Sequence, residues 1–165
     1  MRLSLNTAYI CPMGSMEQTL IEFKKAGFDT YDFSSSFIIS QCDTYIDKVD
    51  YLERAKKLRK FADDLGLVCN QSHSFMKYIS KNNSEKENAY LWMMCIRSIE
   101  IAGVLGAKYV VIHPFSSYSE EENVMYFKQL AEHARKAHTK IAIENVPEGI
   151  FSYEESIISI LDKIN

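Results

Sequence analysis

Short apolar runs and longer amphipathic stretches alternate along the whole chain. Two of the runs, Tyr109-Val110-Val111-Ile112-His113-Pro114 and Lys140-Ile141-Ala142-Ile143-Glu144-Asn145, hold consecutive apolar residues and finish on a polar side chain. Apolar runs without polar alternation suit parallel strands covered on both faces, and the amphipathic stretch from Glu120 to His138 is long enough to cross back between them. This predicts a strand, helix, strand unit with His113 and Glu144 at the carboxyl tips, where parallel α/β proteins gather their reactive groups.

The same rhythm extends in both directions. Leu3 to Thr7 reads as a first strand, followed by a loop with Pro12 and Gly14, and Ser15 with Gln18 caps a helix that runs to about Ala26 and stops at Gly27. Thr30 to Phe33 is a second strand with Asp32 near its tip, and Ser34 to Ser36 is loop. From Asp47 onward Leu52, Ala55, Leu58, Ala62 and Leu65 share one face of a helix ending at Gly66, while Lys56, Lys57, Arg59 and Lys60 form a solubilising outer face. Leu67 to Asn70 is a third strand, followed by the polar cluster Gln71-Ser72-His73. Ser84 with Glu87 caps a helix whose apolar face holds Leu91, Met94, Cys95, Ile101, Ala102 and Leu105, with Gly103 and Gly106 marking its end. Tyr90, Trp92 and Met93 read as core and helix-packing residues. Ser119 with Glu122 and Ser152 with Glu155 cap the last two helices, the final one using Ile157, Ile158, Leu161 and Ile164. Five strand-helix units follow one another without a Gly-, Ser- or Pro-rich linker. The expected fold is a single α/β domain over residues 1–165, of the parallel (β/α) TIM-barrel type but incomplete. A full eight-unit barrel takes about 250 residues, and five units in this length amount to roughly five eighths of one. An open sheet is the alternative.

Composition narrows the function classes. A formal net charge of -3 without a basic cluster gives no electrostatic footprint for general nucleic-acid binding. Cys11, Cys42, Cys69 and Cys95 form no CxxC pair, which argues against a structural zinc site or a disulfide framework and for free thiols in the cytoplasm. No stretch approaches 18 consecutive apolar residues, so no membrane span is expected. GxGxxG, GxxxxGK[ST] and GxSxG are absent, leaving nucleotide-fold and serine-hydrolase readings without their motifs.

His73, His113 and Glu144 come from the ends of successive strands and would be neighbours on one rim. Imidazoles and a carboxylate suit Zn²⁺, Mn²⁺ or Fe²⁺, and three such ligands leave room for water or substrate. A single strand-end histidine is more often a hydrogen-bonded structural residue; three such groups at successive tips bring the site reading level with it. Asn145 is a candidate for the loop cap or for support of Glu144, with Pro147 and Gly149 able to bend the chain there. Asn6 and Asp32 are further candidates for the rim, with turn capping as their other reading. Cys69 reads as core, and His133 and His138 as solvated residues off any shared helix face.

The Gly27-Phe28 turn, the Ser72-His73 tip, Ala107 to Pro114, and Ile141 to Asn145 together resemble the xylose isomerase-like TIM barrel superfamily, over its first five βα units. This superfamily includes sugar phosphate isomerases and epimerases and the endonuclease IV type of apurinic endonuclease. The resemblance implies a divalent metal (Mn, Zn or Mg) at the carboxyl rim. In the isomerase and epimerase branch it implies Glu144 as a metal ligand that works with a second glutamate from strand eight, with His113 beside it. The substrate would be a small sugar or sugar phosphate, with His73, Asn6 and Asn145 as substrate-binding candidates. In the endonuclease branch it implies His73 and His113 as further ligands and Glu144 as the bridge. Ligands that the family takes from strands six to eight have no counterpart in these 165 residues, and Asp32 stands where many relatives carry glutamate. The third expectation is a non-catalytic half-barrel that pairs with another copy or with a separate C-terminal half, through its edge strands.

Overall fold

The strands β1 (Ser4–Asn6), β2 (Thr30–Ser34), β3 (Val68–His73), β4 (Tyr109–Ile112) and β5 (Lys140–Ile143) lie side by side in chain order in one sheet, and every pairing is parallel. In this computed structural model residues 3–9, 14–35, 45–75, 79–146 and 150–164 are described. The crossovers are α1 (Met16–Lys25), α2 (Tyr51–Asp64), α3 (Glu85–Leu105) and α4 (Glu120–Lys136), and α5 (Glu154–Ile164) follows β5. Pro12, Ser36, Cys11, Cys42, Pro147 and Gly149 fall outside the described residues.

The predicted caps explain where the helices begin. Ser15 and Ser84 accept hydrogen bonds from the backbone N–H groups of Gln18 and Glu87, and Ser119 with Glu122 closes a full capping box. α5 departs from expectation. A 3₁₀ turn at Ile150–Ser152 precedes it, so Ser152 lies in that turn and the helix opens at Glu154. α2 starts at Tyr51, later than the Asp47 that its pattern suggested.

The core fills the space between the sheet and its helices. Tyr31 and Phe33 of β2 and Val110 and Ile112 of β4 pack with Leu20, Phe23, Leu58, Leu91, Ile99, Phe127 and Leu130 from the helices, all of them buried. β5 corrects one expectation, because Ile141, Ala142 and Ile143 are only half-buried. In the strand order β1 and β5 are the two edges, so among the described residues β5 has a neighbour on one side only. Tyr90 and Met93 are exposed rather than core, whereas Met94 is buried. Arg59 does more than solubilise, since its Nη1 donates to the Leu105 carbonyl at 2.6 Å and its Nε to Asp63. Gly106, in the left-handed region at φ 77, ends α3 as expected. Gly103 lies inside that helix, against α4.

α2 and α3 are locked at their junction by Tyr51. Its hydroxyl donates to the Glu100 carboxylate, and the Arg97 guanidinium lies 4.6 Å from the ring centroid while donating to the carbonyls of Ile46 and Lys48. Burial and then the adjacent Glu100 carboxylate push the Tyr51 hydroxyl up to about 12. The fold therefore favours the neutral phenol. This contribution is complete below the unfolded value of 10.0 and is lost as pH rises towards about 12. Urea midpoints measured across that window are expected to fall less steeply in Tyr51→Phe than in the unmutated protein; parallel curves would refute the assignment.

Candidate functional site

A shift in strand register decides which side chains reach the face of the sheet opposite the buried Tyr31, Phe33, Val110 and Ile112. Between β2 and β3, Tyr31 pairs with Cys69, but Asp32 pairs with Gln71, leaving Asn70 as an extra residue. Side chains alternate along a strand, so one inserted residue exchanges the two faces beyond it. Cys69 is buried on the helix side with Tyr31, whereas Gln71 and His73 share the opposite face with Asp32. Without this bulge His73 would point into the core. The expectation that the third strand ends at Asn70, with Gln71, Ser72 and His73 after it, is corrected accordingly: all three are strand residues.

The register then brings the other candidates together. Asn6 pairs with Asp32 in β1 and β2, His73 with Val111 in β3 and β4, and Val111 with Ala142 in β4 and β5. His113 and Glu144 lie two residues beyond Val111 and Ala142, just past the strand ends, and so on the same face. Their side chains meet. His113 Nε2 is 3.1 Å and His73 Nε2 3.6 Å from the same Glu144 oxygen, Oε2. Behind His73, Nδ1 is 3.0 Å from Asp32 Oδ1 and 3.3 Å from Asn6 Nδ2, and Gln71 Nε2 donates to Asp32 Oδ2 at 2.8 Å. Asn6 in turn accepts the Ala8 backbone N–H at 2.8 Å, so its amide orientation is set. Asn145 is exposed one residue beyond Glu144, and the bonds that join the other groups do not include it.

Burial grades across the cluster. The Asp32 side chain is 9% exposed, His113 18%, His73 21% and Glu144 47%, so the carboxylate that both imidazoles share is the one open to solvent. Hydrogen bonding to Asp32 raises the His73 imidazole above its ordinary value, outweighing the opposing effect of burial, and Glu144 adds to the rise. The loop after His113 is held by Asn123 at the start of α4. Its Oδ1 accepts the Phe115 N–H at 2.8 Å, and its Nδ2 donates to the carbonyls of Phe115 and Ser119 at 3.1 and 3.0 Å. The sequence reading has Gln71 only as part of a polar cluster, without its bond to Asp32, and misses Asn123, although a buried Asn in the first turn of α4 has a recognisable role in tying the preceding loop. Cys69 and Cys95 are free and buried, as expected of core residues.

Two imidazoles, two carboxylates and two amides on the carboxyl rim of a parallel sheet agree with the match found for the sequence itself. The model of the xylose isomerase-like TIM barrel family covers residues 21–165. This chain belongs to that family. Solved structures agree on the fold. A D-psicose 3-epimerase studied in the presence of D-fructose superposes at TM-score 0.69 and 14% identity, over 100% of this chain and 60% of its own. An IolI protein with a bound zinc atom gives 0.71 and 21%, over 100% and 59%. A family protein from Mycobacterium smegmatis in complex with magnesium gives 0.72 and 14%, over 99% and 61%. The chain thus spans about three fifths of these relatives and is a partial (β/α) barrel. Among curated proteins no sequence matches it significantly. No helix among the described residues is long and apolar enough to cross a membrane.

Proposed function

We propose that this chain forms the amino-terminal part of a metal-assisted isomerase or epimerase acting on a small sugar or sugar phosphate. One observation carries the reading: His73 Nε2 and His113 Nε2 both face Glu144 Oε2 at the solvent-open end of the sheet. Among the described residues no group of three or more His, Cys, Asp or Glu is laid out as a complete metal site. The donors touch at Glu144 instead of surrounding a common point. Their chemistry nevertheless fits a divalent ion. Tetrahedral zinc with bonds of about 2.0–2.1 Å sets neighbouring donors about 3.3 Å apart, and the two separations here are 3.1 and 3.6 Å. Asp32 behind His73 is the kind of carboxylate partner that metal-ligating histidines have.

Glu144, His113 and His73 would hold the ion, which when bound would polarise a substrate carbonyl as a Lewis acid. Glu144, half-exposed at the rim, would accept a proton from the carbon beside that carbonyl. Asn6 and Asn145 are available for sugar hydroxyls, and the edge strands β1 and β5 would take up the remaining barrel strands or a second copy. The test is carbon-bound hydrogen exchange, by proton NMR, of D-fructose in D₂O with Mn²⁺ or Zn²⁺ and the chain supplied with its complementary barrel strands. Loss of the signal beside the carbonyl is expected. A metal-loaded, folded barrel that exchanges no ketose or aldose proton would overturn it.

A second reading has one specific observation in its favour. Both histidines share Glu144, the ligand arrangement that resemblance assigns to the apurinic endonuclease branch. Cleavage of an abasic-site duplex under the same conditions would select it, against the net charge of -3.

A further inference from the structure

We propose that Asp32, braced by Gln71, is a positioning residue that fixes the proton of neutral His73 on Nδ1, leaving the Nε2 lone pair facing the Glu144 side of the site. The need for such a device follows from a conflict at Nδ1. That nitrogen stands between Asp32 Oδ1 at 3.0 Å and Asn6 Nδ2 at 3.3 Å. The carboxylate only accepts and the amide nitrogen only donates, so one proton state cannot serve both.

Three contacts decide for Asp32. The bond to the carboxylate is the shorter and is charge-assisted. Asp32 is buried, and its other oxygen is already taken by Gln71 at 2.8 Å, so a bare Nδ1 would leave Oδ1 facing a lone pair. Asn6 is half-buried and already engaged through Oδ1 with Ala8, so it does not depend on His73 for its own position. Among the described residues the opposite end of the ring has no comparable hold. Nε2 is 3.6 Å from Glu144 Oε2, beyond firm hydrogen-bond range, and that oxygen is nearer to His113. The β3 bulge matters here as well, since it sets Gln71 beside Asp32 and His73 on the same face.

The positioning role stands on these contacts alone; only its consequence for metal rests on the proposed function. Long-range ¹H–¹⁵N correlation of the unmutated 165-residue chain, at a pH where His73 is neutral and with its signals assigned through His73→Asn, is expected to show the Nδ1–H tautomer. An Nε2–H pattern would overturn the proposal without need of any further variant. In Asp32→Asn the Gln71 donor keeps the amide oxygen on its side and turns Nδ2 towards His73, so the tautomer is expected to switch to Nε2–H. Titration with Zn²⁺ alone should then show affinity reduced by roughly 10- to 100-fold, the usual effect of losing an outer partner of a ligating histidine. An unchanged tautomer in folded Asp32→Asn would overturn the positioning role. A switched tautomer with unchanged Zn²⁺ affinity would support that role and sink the metal reading instead.

Discussion

Glu144→Gln is expected to weaken Zn²⁺ or Mn²⁺ binding by roughly a hundredfold or more while leaving the fold intact. Outer partners of metal ligands are typically worth 10- to 100-fold, and among the described residues Glu144 is the group that both imidazoles touch, so its loss should exceed the Asp32 effect. A neutral amide keeps the size of the side chain but removes the charge that, among the described residues, lies against both His73 Nε2 and His113 Nε2. The fold should not notice. The side chain is 47% exposed, and the residue's structural bond is made by its backbone N–H, which donates to the Ile112 carbonyl at 3.2 Å and survives the substitution. Calorimetric titration of the dialysed protein, with a melting curve on each variant, separates the two effects. Equal affinity in Glu144→Gln and the unmutated chain would show that the three rim groups are a hydrogen-bonded cluster and nothing more.

What could be read in the sequence, and what could not, divides along a physical line. His113 and Glu144 were legible because each ends an apolar run, and a parallel strand's end is a place that periodicity can locate. The caps at Ser15, Ser84 and Ser119 were legible because the cap and its N3 partner are neighbours in sequence. The link from Asp32 to His73 was not. It depends on the extra residue Asn70, and strict alternation puts Cys69, Gln71 and His73 on a single face, the buried one. A bulge leaves no local mark in residues 68–73, since its cause is the pairing with β2. The half-burial of β5 was missed for a different reason: five units in chain order already make β5 an edge, but Ile141 to Ile143 are apolar enough to read as a strand covered on both faces.

Gly103→Ala should lower the melting temperature, although the pattern of α3 gives no warning of it. A Cβ built at Gly103 would sit 2.1 Å from the Ala137 carbonyl oxygen and 3.0 Å from its carbonyl carbon. These are backbone atoms at the end of α4, so no rotamer change relieves the clash, and α3 and α4 must part. Overpacking of this kind costs about 1–3 kcal/mol, and a backbone obstacle argues for the upper end. Alanine returns about 1 kcal/mol through its better helix propensity. The net loss of about 2 kcal/mol corresponds to a fall of roughly 4–8 °C for a chain of this size. An unchanged or raised melting temperature would mean that the two helices do not meet at Gly103. Beyond Ala137 the chain is pinned again, by the Thr139 hydroxyl donating to the Ala107 carbonyl at 2.9 Å and the Lys140 N–H donating to the Lys108 carbonyl at 3.1 Å. The strain should therefore be released within the last turn of α4 before it reaches β5. Below the melting transition, Zn²⁺ affinity of Gly103→Ala is expected to stay within about twofold of the unmutated chain, as for independent sites.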